Sequence, residues 1–259
     1  MGAMSALSPL RTKSMATVFI PALLRKLTGG KDRATALGAT VREIIEDLEP
    51  RTISDLIKLT QVAAPPFMEE KRAAVYAEWL AEAGADSVFI DDEGNVVAIR
   101  FGLGGERSQT TDGKVRTVAI SGHLDTVFPD NMDVTVTQRG DTLFAPGIGD
   151  DTRGLVSVLT VLRALEGAGI ETQANVRLIG VVGEEGVGDL RGMKYLFRED
   201  GDPIHAWIDV DGTGLGSIVN KGLGSHRFRV TFHGPGGHSW GAFGLANPAH
   251  ALGRAIRYF

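Results

Sequence analysis

Apolar residues recur at the spacing of an amphipathic helix in the chain beyond residue 40. The helices that this pattern predicts span residues 41–48, 53–62 and 69–83. Pro65 follows the second segment, where proline cannot continue a helix, and Gly84 follows the third, where glycine commonly ends one. The next apolar runs, 88–90 and 96–101, flank a short polar turn and predict a β-hairpin.

Beyond the hairpin, compact apolar runs alternate with helical patterns. The runs predict buried strands at 117–121, 176–182 and 206–210, and the patterns between them predict helices at 151–165 and 189–197. Strands that alternate with helices indicate an α/β fold, here a mostly parallel mixed sheet with helices on both faces. Ligands of such sheets bind beyond the carboxyl ends of the strands, so a site is expected there.

The pattern changes near Ser217. Residues 227–232 alternate polar and apolar positions, as in a strand with one face in water, and 247–258 show an amphipathic helical pattern. Three parts follow from these boundaries. They are a flexible extension at 1–38, a first domain at 39–216 and the beginning of an α+β domain at 217–259.

The composition restricts which ligands the protein is expected to bind and in which cellular compartment it is expected to act. The 259 residues are 43% hydrophobic and 23% charged, which is typical of a globular protein. A formal net charge of −5 gives no basic field for nucleic acid, and no apolar stretch is long enough to span a bilayer, so we expect neither as a partner. Because the chain has no cysteine, a metal site must use His, Asp and Glu. We expect a cytoplasmic protein that acts on a small molecule.

Acidic and imidazole side chains cluster where predicted strands run into loops. The clusters are His123-Leu-Asp125, Asp150-Asp151, Glu184-Glu185, Asp211 and His238. Carboxylate oxygen and imidazole nitrogen are common ligands of divalent metal ions. The arrangement predicts a metal-dependent hydrolytic site, although each cluster alone also has a structural explanation.

The first two clusters show this ambiguity. In extended chain His123 and Asp125 point to the same side, so the carboxylate can accept the imidazole proton that does not face a metal. A lone His-x-Asp is more commonly a hydrogen-bonded strand end. One of Asp150 and Asp151 can cap the helix that follows, which leaves the other free to bridge two cations.

Glu184 and Glu185 are the strongest local signal. Two adjacent carboxylates at a buried edge repel each other unless a cation or a proton intervenes. A metallohydrolase needs one carboxylate on the metal and another, unligated, to take a proton from water. Adjacent glutamates can divide these roles, and a solvated acidic loop is the structural alternative.

Spacing alone leaves the remaining candidates open. Asp209 and Asp211 lie on one face at the end of the third buried strand, so either could be a ligand or a turn residue. His238 lies in a glycine-rich turn and could donate a hydrogen bond to an oxyanion or be an exposed loop histidine. The glycine-rich run 212–216 is a weak nucleotide-site signal, because its spacing is not that of a dinucleotide loop.

Five short motifs occur in a fixed order along the chain. They are Ser-Gly-His-Leu-Asp-Thr-Val, Gly-Ile-Gly-Asp-Asp-Thr-Arg-Gly, Gly-Glu-Glu-Gly, Val-Asp-Gly and Gly-Pro-Gly-Gly-His-Ser. This series resembles that of the dizinc metallopeptidases that include peptidase T, carboxypeptidase G, aminoacylase and succinyl-diaminopimelate desuccinylase. The resemblance implies a zinc-peptidase-like catalytic domain, followed by the start of a lid and dimerisation domain.

The resemblance also implies roles for single residues. The implied ligands of two divalent ions, zinc or alternatively cobalt or manganese, are His123, Asp150, Glu185 and Asp211. Asp150 would bridge the ions and Asp125 would orient His123. Glu184 would be the general base. His238 would reach the active site of the partner subunit in a homodimer.

Three further expectations come from the resemblance. The peptide bond between Asp150 and Asp151 would be cis. The substrate would be a small peptide or an N-acyl amino acid, and aspartate at position 211 favours the aminopeptidase and dipeptidase branch. Family members continue beyond residue 259 and supply a further histidine ligand there, so we expect a truncated chain. The alternative function is a truncated, non-catalytic remnant that keeps the fold and the dimerisation surface.

Overall fold

The computed structural model describes residues 15–19, 33–37, 41–103, 116–198, 201–212 and 216–258. The chain divides into two compact units, Met1–Thr213 and Gly214–Phe259. The strands are β1 Met15–Phe19, β2 Arg33–Leu37, β3 Ser87–Ile90, β4 Val96–Arg100, β5 Thr117–His123, β6 Thr137–Arg139, β7 Thr142–Phe144, β8 Asn175–Val181 and β9 Ala206–Asp209. The helices are α1 Val41–Thr60, α2 Glu70–Glu82, α3 Arg153–Gly167, α4 Arg191–Leu196 and α5 Pro248–Ile256.

The first unit is built on a five-stranded sheet with the order β3-β4-β8-β5-β9. β4 pairs antiparallel with both β3 and β8, whereas β5 lies parallel to both β8 and β9. In this register His123, at the end of β5, is the partner of Val181 at the end of β8. The carboxyl ends of these strands therefore open onto the same edge of the sheet, and the mixed α/β sheet predicted from the sequence is confirmed.

Helices cover both faces of this sheet because its central strands are apolar on both sides. α1, α2 and α3 contribute to one buried cluster, which includes Leu159 of α3 and Leu178 of β8. α4 contributes to a second cluster on the opposite face, where Leu196 packs with Ile179 of β8. Each fully buried leucine contributes about 1.5–3 kcal/mol of transfer free energy, so these clusters hold the strand ends in fixed positions.

α1 is one continuous helix, so the prediction of separate helices at 41–48 and 53–62 is wrong. Pro50 lies inside it and removes one backbone hydrogen bond. α1 nevertheless packs on α3, and Asp55 of α1 forms a buried ion pair with Arg163 of α3 at 2.6 Å. Packing against α3 therefore keeps the helix intact across the proline.

Strand pairing is the feature that the sequence pattern predicts least well. β1 pairs with β2 inside the segment 1–38 that the sequence predicts to be flexible, and β6 pairs with β7 around Gly140. Residues 227–232, by contrast, form no strand in the described part of the second unit, so that prediction is wrong. Alternation of polar and apolar residues marks a possible strand, but a strand also requires a hydrogen-bonded neighbour.

The described residues of the second unit contain the helix α5 and no strand. Asn247 caps this helix, since its Oδ1 accepts a hydrogen bond from the amide of Ala249 at 2.8 Å. The helical pattern at 247–258 is thus confirmed. None of the helices that the structure describes has the length and apolarity needed to cross a bilayer.

Candidate metal centre

His123 is the last residue of β5, and its side chain is buried with one nitrogen directed at carboxylates. Its Nδ1 lies 2.8 Å from the carbonyl oxygen of Asp125. A carbonyl can only accept a hydrogen bond, so Nδ1 carries the hydrogen. Nε2 then faces Oδ1 of Asp150 at 2.9 Å and Oδ1 of Asp211 at 3.8 Å. A ring fixed in this way presents Nε2 as a metal ligand.

Asp150 and Asp151 point to different surroundings, and the peptide bond between them is cis, as the resemblance implies. The Asp151 carboxylate is buried, with Oδ2 accepting from the amide of His123 at 2.9 Å and Oδ1 from the amide of Gly154 at 3.0 Å. Asp151 therefore ties the end of β5 to the start of α3. Asp150 is half exposed and directed at the His123 ring, which leaves its oxygens available to a cation.

The end of β5 approaches the start of α3 too closely for any side chain at position 122. A Cβ on Gly122 would lie 2.6 Å from Oδ2 of Asp151 and 2.9 Å from the amide nitrogen of Leu155. Both distances are well below van der Waals contact. Glycine at this position therefore allows Asp151 to reach the backbone of His123.

Asp125 is fully buried and organises the second acidic pair. Its Oδ1 accepts from the amide of Glu184 at 3.0 Å, and its Oδ2 accepts from the amide of Glu185 at 2.8 Å. Its carboxylate is 3.7 Å from Nδ1 of His123, so the carboxylate hydrogen bond expected from the sequence is replaced by the bond to the carbonyl oxygen of the same residue. Asp125 thus links the His123 loop to the loop that carries both glutamates.

The described residues contain two overlapping sets of possible ligand atoms, and within each set the atoms lie within 4.8 Å of one another. One set is His123, Asp150 and Glu185, and the other is His123, Asp151 and Asp211. Asp151, in the second set, already accepts hydrogen bonds from two backbone amides. Asp150, in the first set, is therefore the better candidate for a ligand shared by two ions. Glu184 is in neither set of described residues, which keeps it available for proton transfer. Imidazole nitrogen with carboxylate oxygen is a donor set that fits zinc and chemically similar divalent ions.

The charges in this group of residues shift one another's pKa values. Burial alone would lower the pKa of His123, but the carboxylates of Asp125, Asp151 and Asp150 outweigh it and raise the pKa to about 10. Burial also raises the pKa of Asp151, to about 8. The group therefore holds protons at neutral pH, and a divalent ion that replaced them would relieve the repulsion between carboxylates.

Burial likewise raises the pKa of Glu184 and of Glu185. The carboxylates around them act in the same direction, and His123 opposes the shift in both. A raised carboxylate pKa is what a base operating near neutral pH requires.

The structure separates Asp209 from Asp211, which spacing could not do. Asp211 faces Nε2 of His123, whereas Oδ1 of Asp209 accepts a hydrogen bond from the hydroxyl of Ser121. That hydroxyl also accepts from the indole nitrogen of Trp207 at 2.7 Å. The geometry thus favours Asp211 as the ligand and gives Asp209 a structural role at the strand end.

His238 belongs to the second unit, whereas the other candidate site residues belong to the first. Its Nδ1 accepts hydrogen bonds from the amides of Trp240 at 3.2 Å and Gly241 at 3.3 Å. The side chain is exposed. Its role as an oxyanion donor stays a prediction.

Sequence reasoning missed two buried charged residues that belong to this region, Glu69 and Arg72. Arg72 is 1% exposed and donates to the carbonyl of Leu124, between His123 and Asp125, at 2.9 Å. The available signal was a charge on an apolar helix face, because Arg72 shares the buried side of α2 with apolar residues.

Comparison with known proteins finds a family whose model matches part of this chain. The model of Peptidase family M20/M25/M40 matches residues 119–240, which confirms the resemblance predicted from the motifs. A protein of Pyrococcus abyssi described as a LysW-lysine/LysW-ornithine hydrolase is 33% identical over 134 residues, covering 52% of this chain and 33% of that protein.

Solved structures show the same fold. Aminopeptidase PepT from Bacillus cereus is 24% identical with a TM-score of 0.53 and covers 64% of this chain and 44% of its own. The dipeptidase Dug1p from Saccharomyces cerevisiae is 20% identical with a TM-score of 0.57 and covers 84% of this chain and 51% of its own. The chain thus spans about half the length of these structures and a third of the curated relative.

Proposed function

We propose that this protein, whose residues 119–240 carry the match to peptidase family M20/M25/M40, is a metal-dependent hydrolase of amide bonds. The observation that carries the proposal is the convergence of Nε2 of His123 with the carboxylates of Asp150, Glu185 and Asp211 beside Glu184, which belongs to neither ligand set. This arrangement favours a hydrolase over a non-catalytic remnant, because a remnant has no need to keep an unligated carboxylate next to a ligand set.

His123, Asp150, Glu185 and Asp211 would hold two divalent ions, with zinc the first choice and cobalt or manganese as alternatives. Asp150 would be shared, since it lies in the ligand set with Glu185 and also faces the ring that Asp211 approaches. Bound ions of this kind supply Lewis-acid polarisation of the scissile carbonyl and a water molecule whose pKa is lowered towards neutrality.

Glu184 would act as the general base and then as the general acid. Its carboxylate would take a proton from the attacking water and deliver it to the nitrogen of the leaving amine, so that the C–N bond breaks as the amine departs. Asp125 supports this role because it holds the amides of Glu184 and Glu185, and with them the backbone from which both carboxylates extend.

The substrate would be a small peptide or an N-acyl amino acid. Aspartate at position 211 and the peptidase descriptions of the matched structures support this choice. We further propose that the second unit begins a lid and dimerisation domain, and that His238 serves the active site of the partner subunit in a cytoplasmic homodimer. The absence of cysteine is compatible with a reducing compartment.

The proposed activity is tested by assaying dipeptides, tripeptides and N-acyl amino acids with the protein freed of metal by a chelator and then supplied with zinc, cobalt or manganese. We expect hydrolysis of at least one substrate class, abolished by the chelator and restored by the metal. Liberated amine, measured by a colorimetric reagent, gives the rate. Hydrolysis that persists after complete removal of metal would contradict the proposal.

A further inference from the structure

Four consecutive backbone amides beyond β8 are each held by a buried side chain from elsewhere in the chain. The amide of Val182 donates to Oδ1 of Asn95 at 3.0 Å, and the amide of Gly183 donates to Oε1 of Glu69 at 3.2 Å. The next two amides donate to the carboxylate of Asp125 at 3.0 and 2.8 Å. We call this group, the amides of 182–185 with their three acceptor side chains, the amide cradle.

The cradle is built from parts of the fold that are distant in sequence. Asn95 lies between β3 and β4, Glu69 precedes α2, and Asp125 follows β5. The three acceptors are 0%, 3% and 0% exposed, respectively, so water does not compete for these hydrogen bonds. Hydrogen bonds to a buried carboxylate are stronger than neutral ones. The segment that bears Glu184 and Glu185 is therefore restrained before any ligand arrives.

Glu69 has a further partner that fixes its own position. Its two carboxylate oxygens accept from Nη1 and Nη2 of Arg191 at 3.1 and 3.0 Å, a bidentate contact. Arg191 lies over the ring of Phe67 at 4.8 Å and pairs through Nε with Glu93 at 3.1 Å. Arg191 thus pairs with the charge of Glu69, whose Oε1 also accepts from the amide of Gly183.

We propose that Glu69 is a positioning residue that, through the amide of Gly183, sets the place of the Glu184 carboxylate. The inference rests on the proposed function of Glu184 as the base. Gly183 has a φ of 63°, in the left-handed region, so the chain turns sharply immediately before Glu184. A displaced turn would move the base relative to the substrate, and misplacement by about 1 Å costs about 100-fold in rate.

The first test compares Glu69→Ala and Glu69→Gln with the unmodified protein in steady-state kinetics. We expect Glu69→Ala to lower kcat about 10- to 100-fold with little change in KM or metal content. Glu69→Gln should recover part of the loss, because its amide oxygen can still accept from Gly183. Glu93→Gln is the matched control, since it removes a carboxylate from Arg191 without touching the cradle, and it should leave kcat unchanged.

A double variant separates this inference from the function on which it rests. If Glu69 acts through the base, Glu69→Ala added to Glu184→Gln should cause no further loss of kcat. An additive loss, or an unchanged kcat in Glu69→Ala, would overturn the positioning role. Full turnover in Glu184→Gln alone would instead remove the proposed function of Glu184.

Hydrogen exchange gives a readout that does not depend on activity. In Glu69→Ala the amides of 183–185 should exchange about 10-fold faster, as expected for the loss of one buried hydrogen bond. The amides of Leu178 and Ile179 in β8 should exchange as in the unmodified protein. Equal acceleration throughout β8 would indicate general destabilisation, and unchanged exchange at 183–185 would show that Glu69 does not restrain the turn. Either result contradicts the inference.

Discussion

Replacement of Glu184 by glutamine is expected to lower kcat/KM about 100- to 10,000-fold, the range typical of removing a general base. This corresponds to about 3–5 kcal/mol of lost transition-state stabilisation. Glutamine keeps the size of the side chain and cannot take a proton, so the loss reports proton transfer and not packing. The amide of residue 184 would still donate to Asp125, which keeps the backbone in place.

Metal content decides whether Glu184 acts as base or as ligand. We expect Glu184→Gln to bind metal as the unmodified protein does, because Glu184 belongs to neither set of converging ligand atoms. Glu185→Gln is the matched control: the same chemical change at the adjacent residue should weaken metal binding. Measuring kcat/KM and the metal bound per chain in both variants distinguishes a base from a ligand. Parallel loss of metal and turnover in Glu184→Gln would refute its role as base.

The second large effect concerns the metal-linked stability of the fold. Zinc at about 100 times its dissociation constant should stabilise the folded state by about 2.7 kcal/mol. For a chain of this size that corresponds to an increase in Tm of about 5–10 °C. Asp150→Asn should abolish most of this increase, because an amide is a weaker ligand than a carboxylate and Asp150 faces the ring nitrogen of His123 at 2.9 Å.

The control for this experiment is Asp130→Asn, the same change at an exposed aspartate that belongs to neither ligand set. Its zinc-dependent increase in Tm should equal that of the unmodified protein. Thermal unfolding is followed by circular dichroism, with zinc and with chelator, so that each variant is its own reference. An undiminished increase in Asp150→Asn would show that zinc stabilises the protein from another place.

The position of the site could be predicted from the sequence because α/β sheets collect the carboxyl ends of their parallel strands. His123 ends one buried strand and Glu184 follows another, and the parallel register of β5 and β8 brings these strand ends side by side. Apolar runs as long as β5 and β8 are readily recognised as buried strands, so the positions of their ends can be predicted. The clustering of acidic residues at these ends then predicts a metal-dependent site.

The assignment of single carboxylates could not be made in the same way. Whether Asp209 or Asp211 faces His123 depends on the turn after β9, and a residue's spacing along an extended strand does not determine that turn. Similarly, the structure shows Asp125 holding the imidazole through its backbone carbonyl, which no side-chain pattern encodes. Local geometry beyond the last strand residue decides both cases.

The amide cradle could not be predicted from the sequence for a different reason. Glu69 lies 114 residues before Gly183, and the bond between them joins a side chain to a backbone amide. A backbone amide donates in the same way whichever side chain its residue carries. Such a bond therefore produces no recognisable sequence motif. A buried charge at the start of a helix is the only trace, and it can equally signal an ordinary ion pair.

Crystals of the protein soaked in zinc, measured at the zinc absorption edge, test the central claim most directly. The anomalous difference map should show a peak about 2.0–2.1 Å from Nε2 of His123, the usual zinc to nitrogen distance, with the Asp150 carboxylate also within coordination range. The same map from Asp150→Asn crystals should show this peak weakened or absent. A map with no peak between these residues at saturating zinc would contradict the account.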